Sequence, residues 1–249
     1  MGSHVAVESR GELAVVRIDR PPANALDPAL LAELDAARAG LIADPPGAVV
    51  VAGQGRFFSA GVDLKLVPAM SREDQRAMVE GINRLVLGWY CFPRPVVAAV
   101  TGHAIAGGLV IALCADYRVG ATEGKLGLTE LRAGVPYPVG AIQLVRAELA
   151  APAARALALR AHLIEPEEAL RLGLVDELTA ADDVVERACA VAEEMAAFGG
   201  DSYARTKQEL RGEALRQIEA AVQAGDPLLD AWLDDGSGEA AAGVLRKRG

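Results

Sequence analysis

Two short apolar runs, Ala48-Val49-Val50-Val51-Ala52 and Val96-Val97-Ala98-Ala99-Val100, each pass into a glycine-punctuated loop and then into a helical pattern. A run this short, with no polar residue for either face, predicts a strand buried on both sides. The unit of strand, glycine loop and helix therefore occurs twice, and a third strand is predicted over Tyr117–Ala121. Strands alternating with helices in this way point to an α/β fold. Ahead of them, Val5 to Ile18 alternates around Gly11-Glu12 and predicts a hairpin. Asp27-Pro28 reads as an N-cap with proline at the first helical position, opening a helix that runs to about Ala43. Another helix is predicted over Arg72–Tyr90, stopped by Pro93 and Pro95, and a third over Gly108–Cys114.

From Val139 the pattern is almost wholly helical, with breaks at Pro152, Pro166, Gly173, Gly199-Gly200 and Gly225-Asp226-Pro227. Leu174 to Leu178 reads as a short extended return. A boundary at 198–203 divides the chain into a core over 1–198 and a helical region over 199–249. The second part is too small to hold a core of its own, so it is expected to pack on the first or on a neighbouring subunit.

Bulk properties exclude several classes. With 52% apolar residues and charges spread along its 249 positions, the chain is globular. A net charge of −9 does not draw in phosphate backbones or anionic lipid, and 4% aromatics supply no stacking platform, so no nucleic-acid partner is expected. No apolar run reaches the roughly 20 residues that span a bilayer. The segment 95–115 comes nearest but contains Thr101, Gly102, His103, Gly107 and Gly108. There is no basic-then-apolar leader, and Cys91, Cys114 and Cys189 are widely spaced without a C-x-x-C pair. A reduced, cytoplasmic protein without a metal centre is the simplest reading.

The glycine loops carry the chemistry. Gly53-x-Gly55 is not a dinucleotide fingerprint, because Phe58 stands where the third glycine belongs and no helix opens there. Glycines in such loops instead let a ligand approach the backbone closely. The second loop, Gly102 to Gly108, opens a helix, whose free N–H groups and positive dipole end suit a developing negative charge.

These residues resemble a known family. Ala60-Gly61-Val62-Asp63-Leu64 is similar to the A-G-x-D-[LI] signature of the crotonase superfamily, the enoyl-CoA hydratase/isomerase family, and Pro95 through Asp116 is similar to its second conserved stretch. Weaker similarity extends to Arg20 through Asp27, to Leu163 through Val175, and to the tail Asp235 to Arg248. The resemblance covers nearly the whole chain in order. It implies a spiral of repeated β-β-α units with a C-terminal helical trimerisation region, assembled as a homotrimer or a dimer of trimers. It implies an acyl-CoA thioester as substrate, with coenzyme A part of that substrate and no separate cofactor.

The resemblance also implies roles. Val62 and Gly107 would donate the two backbone N–H groups that hold a thioester oxygen as it becomes anionic. Asn24, Ala25, Ala60, Asp63 and Leu64 would meet the pantetheine and adenine, with Gly108 beside them in the glycine run. Lys65 or Arg20 either meets phosphate or is a solvated surface cation. Hydratases of the family carry two glutamates. This chain keeps the second as Glu130 in Gly127-Leu128-Thr129-Glu130 but has Val110 at the first. A single glutamate suits proton transfer between two carbons, which favours isomerisation of an enoyl thioester. Hydration, thioester hydrolysis and a non-catalytic acyl-CoA-binding protein are the alternatives. Tyr137 either offers its hydroxyl to the acyl pocket or is packing. His103 is read as structural, Cys114 as inert core, and Asp116 as the anchor of the turn after it.

Overall fold

The computed structural model describes residues 3–227 and 229–232. The chain enters through the expected hairpin, β1 (Val5–Arg10) paired antiparallel with β2 (Leu13–Ile18). Helix α1 (Pro28–Ala43) starts where its cap dictates, with the Asp27 side chain accepting from Leu30 N at 2.8 Å. Helix α2 (Arg72–Tyr90) opens on a reciprocal capping box between Ser71 and Asp74.

The main sheet has the order β1-β2-β3-β5-β7-β9, with β3 at Ala48–Gly53, β5 at Val96–Val100, β7 at Tyr117–Ala121 and β9 at Glu177–Thr179. Every pairing after the hairpin is parallel. Alternation along the strand explains the apolar runs. Val49 and Val51 face one core with Leu30, Leu34, Met78 and Val86. Ala48, Val50 and Ala52 face the other, which is closed by Val184, Ala188 and Ala192 of α7 (Val184–Ala196).

The two glycine-punctuated loops that follow Ala48–Ala52 and Val96–Val100 contain strands. Phe57–Ser59 (β4) and His103–Ile105 (β6) pair in parallel, and Leu126–Gly127 (β8) joins them in a second, three-stranded sheet. This sheet supplies the second strand of each expected β-β-α turn: β3-β4-α2, then β5-β6-α3, where α3 spans Gly107–Leu113. After β7 and β8 comes a 3-10 turn over Glu130–Ala133, followed by α4 (Val139–Glu148). The expected spiral is therefore the observed architecture. Helix α3 begins one residue before its expected start, and β9 lies just beyond most of the 174–178 segment.

The remaining helices are α5 (Ala151–Arg160), α6 (Pro166–Arg171), α8 (Gly200–Gln223) and α9 (Leu229–Trp232). Helix α8 packs on α4 and α2 through a stripe of Lys207, Arg211, Leu215 and Ile218. Two buried cations in that stripe have a specific task. The Arg211 guanidinium donates to Tyr90 O (3.0 Å), Cys114 O (3.2 Å) and Ala115 O (2.9 Å), meeting carbonyls left open where α2 and α3 end. Asp116 answers both charges, through Lys207 Nζ at 2.7 Å and an Arg211 nitrogen at 3.0 Å. It also accepts from Val96 N at 2.8 Å. Asp116 thus fastens β5 and α8 and does not serve the turn that follows it. The tail similarity over 235–248 lies outside the described residues. Among the described residues no helix is long and apolar enough to cross a membrane.

Candidate active site

Short contacts bring the two glycine loops together. Leu26 forms an isolated parallel bridge with Val62, made by Leu26 N to Gly61 O (2.7 Å) and Asp63 N to Leu26 O (2.9 Å). The bridge uses the groups on either side of Val62 and leaves the Val62 N–H outside it. Gly107 is the first residue of α3, so its N–H has no acceptor within the helix. Gly61 sits at φ +75°, and a Cβ there would stand 2.8 Å from Gly107 N. Only glycine allows this contact. Ala106, at φ 53° and ψ −122°, holds a backbone conformation that a side chain disfavours, directly before Gly107.

Val62 and Gly107 line one cavity of about 590 Å³ together with Ala60, Leu64, Val110 and Glu130. Glu130 opens the 3-10 turn, and its side chain is buried; Oε2 has no hydrogen-bond partner among the described residues. Burial pushes its carboxyl up to about 7, against the opposing influence of its own N–H, the Tyr137 hydroxyl and the Thr129 N–H. Val110 faces the same cavity from α3 with an apolar side chain 1% exposed. Glu130 is the one carboxylate on the wall among the described residues.

The other expected site residues stand off this wall. The Asn24 side chain is consumed as a clamp: Oδ1 accepts from Arg20 N (2.8 Å), while Nδ2 donates to Phe57 O (2.7 Å) and Gln54 O (3.1 Å). Ala25 O accepts from the Arg20 guanidinium at 2.8 Å. Arg20 is also paired with Asp27 at 2.8 Å and Asp63 at 3.3 Å, which makes it a strut of the entry segment. Gly108 is packed against the Ser59 carbonyl, leaving no room for a side chain. Lys65 is exposed. The Tyr137 hydroxyl donates to Ala158 O at 3.1 Å and also lies close enough to Glu130 to act on its carboxyl.

Sequence reasoning missed parts of the wall. Lys125 lines it while paired with Glu165 at 2.6 Å, and Thr129 lies beside Glu130. His103 reaches the cavity too, with its ring 4.6 Å from that of Phe57 and its Nδ1 buried without a partner among the described residues. Burial, then Arg56 and Lys125, hold its pKa below the usual value, so the ring is neutral at neutral pH. Trp232 enters from α9, and no local signal in the chain foretold it.

A family model described as enoyl-CoA hydratase/isomerase matches residues 8–238. The chain belongs to this family. A putative enoyl-CoA hydratase of Thermus thermophilus is 38% identical over 206 residues, 81% of each chain. The crystal structure of the probable enoyl-CoA hydratase EchA3 from Mycobacterium tuberculosis is 33% identical, with a TM-score of 0.84 over 89% of this chain and 95% of that one. Human mitochondrial delta3-delta2-enoyl-CoA isomerase is 25% identical, with a TM-score of 0.89 over 98% and 97%. An enoyl-CoA hydratase/isomerase is a lyase or an isomerase, and this chain is an enzyme of that type. Among the described residues no group of three or more His, Cys, Asp or Glu is placed to hold a metal ion.

Proposed function

We propose that this enzyme moves the double bond of an enoyl-CoA thioester, with Glu130 as the single proton carrier. The observation that carries the reading is the pairing of Glu130 with Val110 on a wall that has no second carboxylate among the described residues. In 3-enoyl-CoA, the Glu130 carboxylate takes a proton from C2. The electron pair moves into the thioester, and the oxygen becomes an enolate held by the N–H groups of Val62 and Gly107. The neutral Glu130 returns the proton at C4, and the double bond comes to lie between C2 and C3. No atom is gained or lost. Two fixed N–H donors suit such a step, since removing one from an oxyanion site typically costs about 2.7–4 kcal/mol. A carboxyl with a pKa of about 7 exchanges a proton in either direction near neutrality.

Hydration is the second reading, favoured by the description of the Thermus thermophilus relative as a putative hydratase. It needs a group to activate water besides one to protonate carbon, and Thr129 is the hydroxyl on the wall beside Glu130. The deciding experiment offers 3-enoyl-CoA and 2-enoyl-CoA to wild type and Glu130→Gln, with products identified by mass spectrometry. Isomerisation faster than hydration, and lost in the variant, is expected. Robust hydration that survives Glu130→Gln would sink the proposal. Assembly as a trimer or paired trimers is a further part of the reading, supported by the family resemblance and tested by sedimentation.

A further inference from the structure

We propose that Trp232 is the end-stop of the acyl pocket and limits the enzyme to short and medium acyl chains. The inference rests on the reading of the cavity as an acyl-CoA site. The ring is 2% exposed and shares a cluster with Val79, Ala133 and Val135, with Val62 and Leu64 packed against it. Ala133, Val135, Val62 and Leu64 are also cavity wall. Among the described residues the cationic side chain of the wall is Lys125, on the approach to β8, and it does not belong to this cluster; nor does the neutral His103 of β6. The apolar lining on this side suits an acyl chain, and the chain is placed toward Trp232.

The wall is held rigidly. Trp232 Nε1 donates to Pro136 O at 2.7 Å. The turn before α9 is pinned by Asp226, whose Oδ2 accepts from Asn83 Nδ2 (2.9 Å) and Val139 N (2.9 Å). Asn83 in turn accepts from Gly140 N at 2.9 Å. Asp226 acts as a positioning residue: it seats the turn on the start of α4, and Trp232 follows. A ring fixed in this way cannot swing aside for a longer chain without breaking its hydrogen bond to Pro136.

The test measures binding of butyryl-, octanoyl- and palmitoyl-CoA by calorimetry to wild type, Trp232→Leu and Trp232→Phe. Each further methylene that finds a buried place improves affinity by about fourfold. In wild type the gain is expected between butyryl and octanoyl and absent between octanoyl and palmitoyl. Trp232→Leu should raise the palmitoyl-to-butyryl affinity ratio by about tenfold or more. Trp232→Phe, a smaller aromatic wall, should raise it by less, and it carries the test alone if the leucine variant does not fold. A ratio equal to that of wild type overturns the proposal, as does a wild type that already gains from octanoyl to palmitoyl. Saturated thioesters cannot isomerise, so the outcome stands whether or not Glu130 shuttles a proton. Absence of binding of any acyl-CoA to wild type would remove the acyl-CoA reading of the site itself.

Discussion

Gly61 and Gly107 touch backbone to backbone: a single methyl group on Gly61 would lie 2.8 Å from the Gly107 nitrogen. The contact joins the two loops that carry Val62 and Gly107, and both residues line one cavity. Gly61→Ala is expected to push the loops apart and lower kcat by about a hundredfold, since a misplacement of about 1 Å at a reacting centre has that effect. Affinity for a saturated acyl-CoA should fall much less. Steady-state kinetics and calorimetry on the same variant separate the two, and an unchanged kcat would detach the contact from catalysis.

With Glu130 as the proposed base, activity is expected to depend on pH. As the base it must be ionised, so kcat/KM for a 3-enoyl-CoA should rise through about pH 7 and then level off. Glu130→Gln should lower kcat by roughly 10²–10⁴ and abolish the rise. Stability has the opposite sign. The folded pKa is raised from 4.5, so stability present at low pH is lost as pH climbs from about 4.5 through about 7. That loss is on the order of 3 kcal/mol at most. Glu130→Gln should therefore melt higher than wild type above pH 7, which calorimetry across pH tests directly.

Val110 lines the cavity with Glu130, at the position where the family resemblance expects a second glutamate. Val110→Glu is expected to raise the ratio of hydrated to isomerised product by about tenfold or more, because paired carboxylates divide the activation of water from the protonation of carbon. Product analysis by mass spectrometry reads the ratio without depending on absolute rates. No change in the ratio would mean that Val110 does not govern the choice of reaction.

The Asp116 clamp concerns the fold. Asp116→Ala leaves the Lys207 and Arg211 charges buried without their shared carboxylate. Breaking one partner of a buried ion cluster typically costs about 3–5 kcal/mol, and the melting temperature should drop accordingly. Hydrogen exchange should rise first in α8, at Lys207 and Arg211. Uniform exchange across the chain would mean that the clamp holds no element in particular.

Much of this was legible before any coordinate. The ends of α1, α2 and β5 follow from Asp27-Pro28, from the breaks around Pro93 and Pro95, and from an apolar run too short for a helix. Glu130, Val62, Gly107, Ala60, Leu64 and Val110 were found on family similarity and meet at one cavity. By contrast β4, β6 and β8 are two or three residues long. Strands so short have no periodicity to read and exist only because they lie beside one another. The side chain of Asn24 has hydrogen bonds to Arg20, Gln54 and Phe57 across the fold that no local pattern foretells.

The amino-acid order alone determined the strand–loop–helix repeat, the caps and the glycines at the loop contacts, because these depend on neighbours in the chain. It also carried Val110, at the position where the family resemblance expects a glutamate. Only tertiary structure decided that Gly61 meets Gly107, that Arg211 closes the ends of two helices, and that Trp232 returns to wall a cavity built from residues far earlier in the chain. The reason is physical. Local signals report backbone preference and burial, whereas a raised carboxyl pKa or an end-stop depends on which distant groups exclude water from the same space.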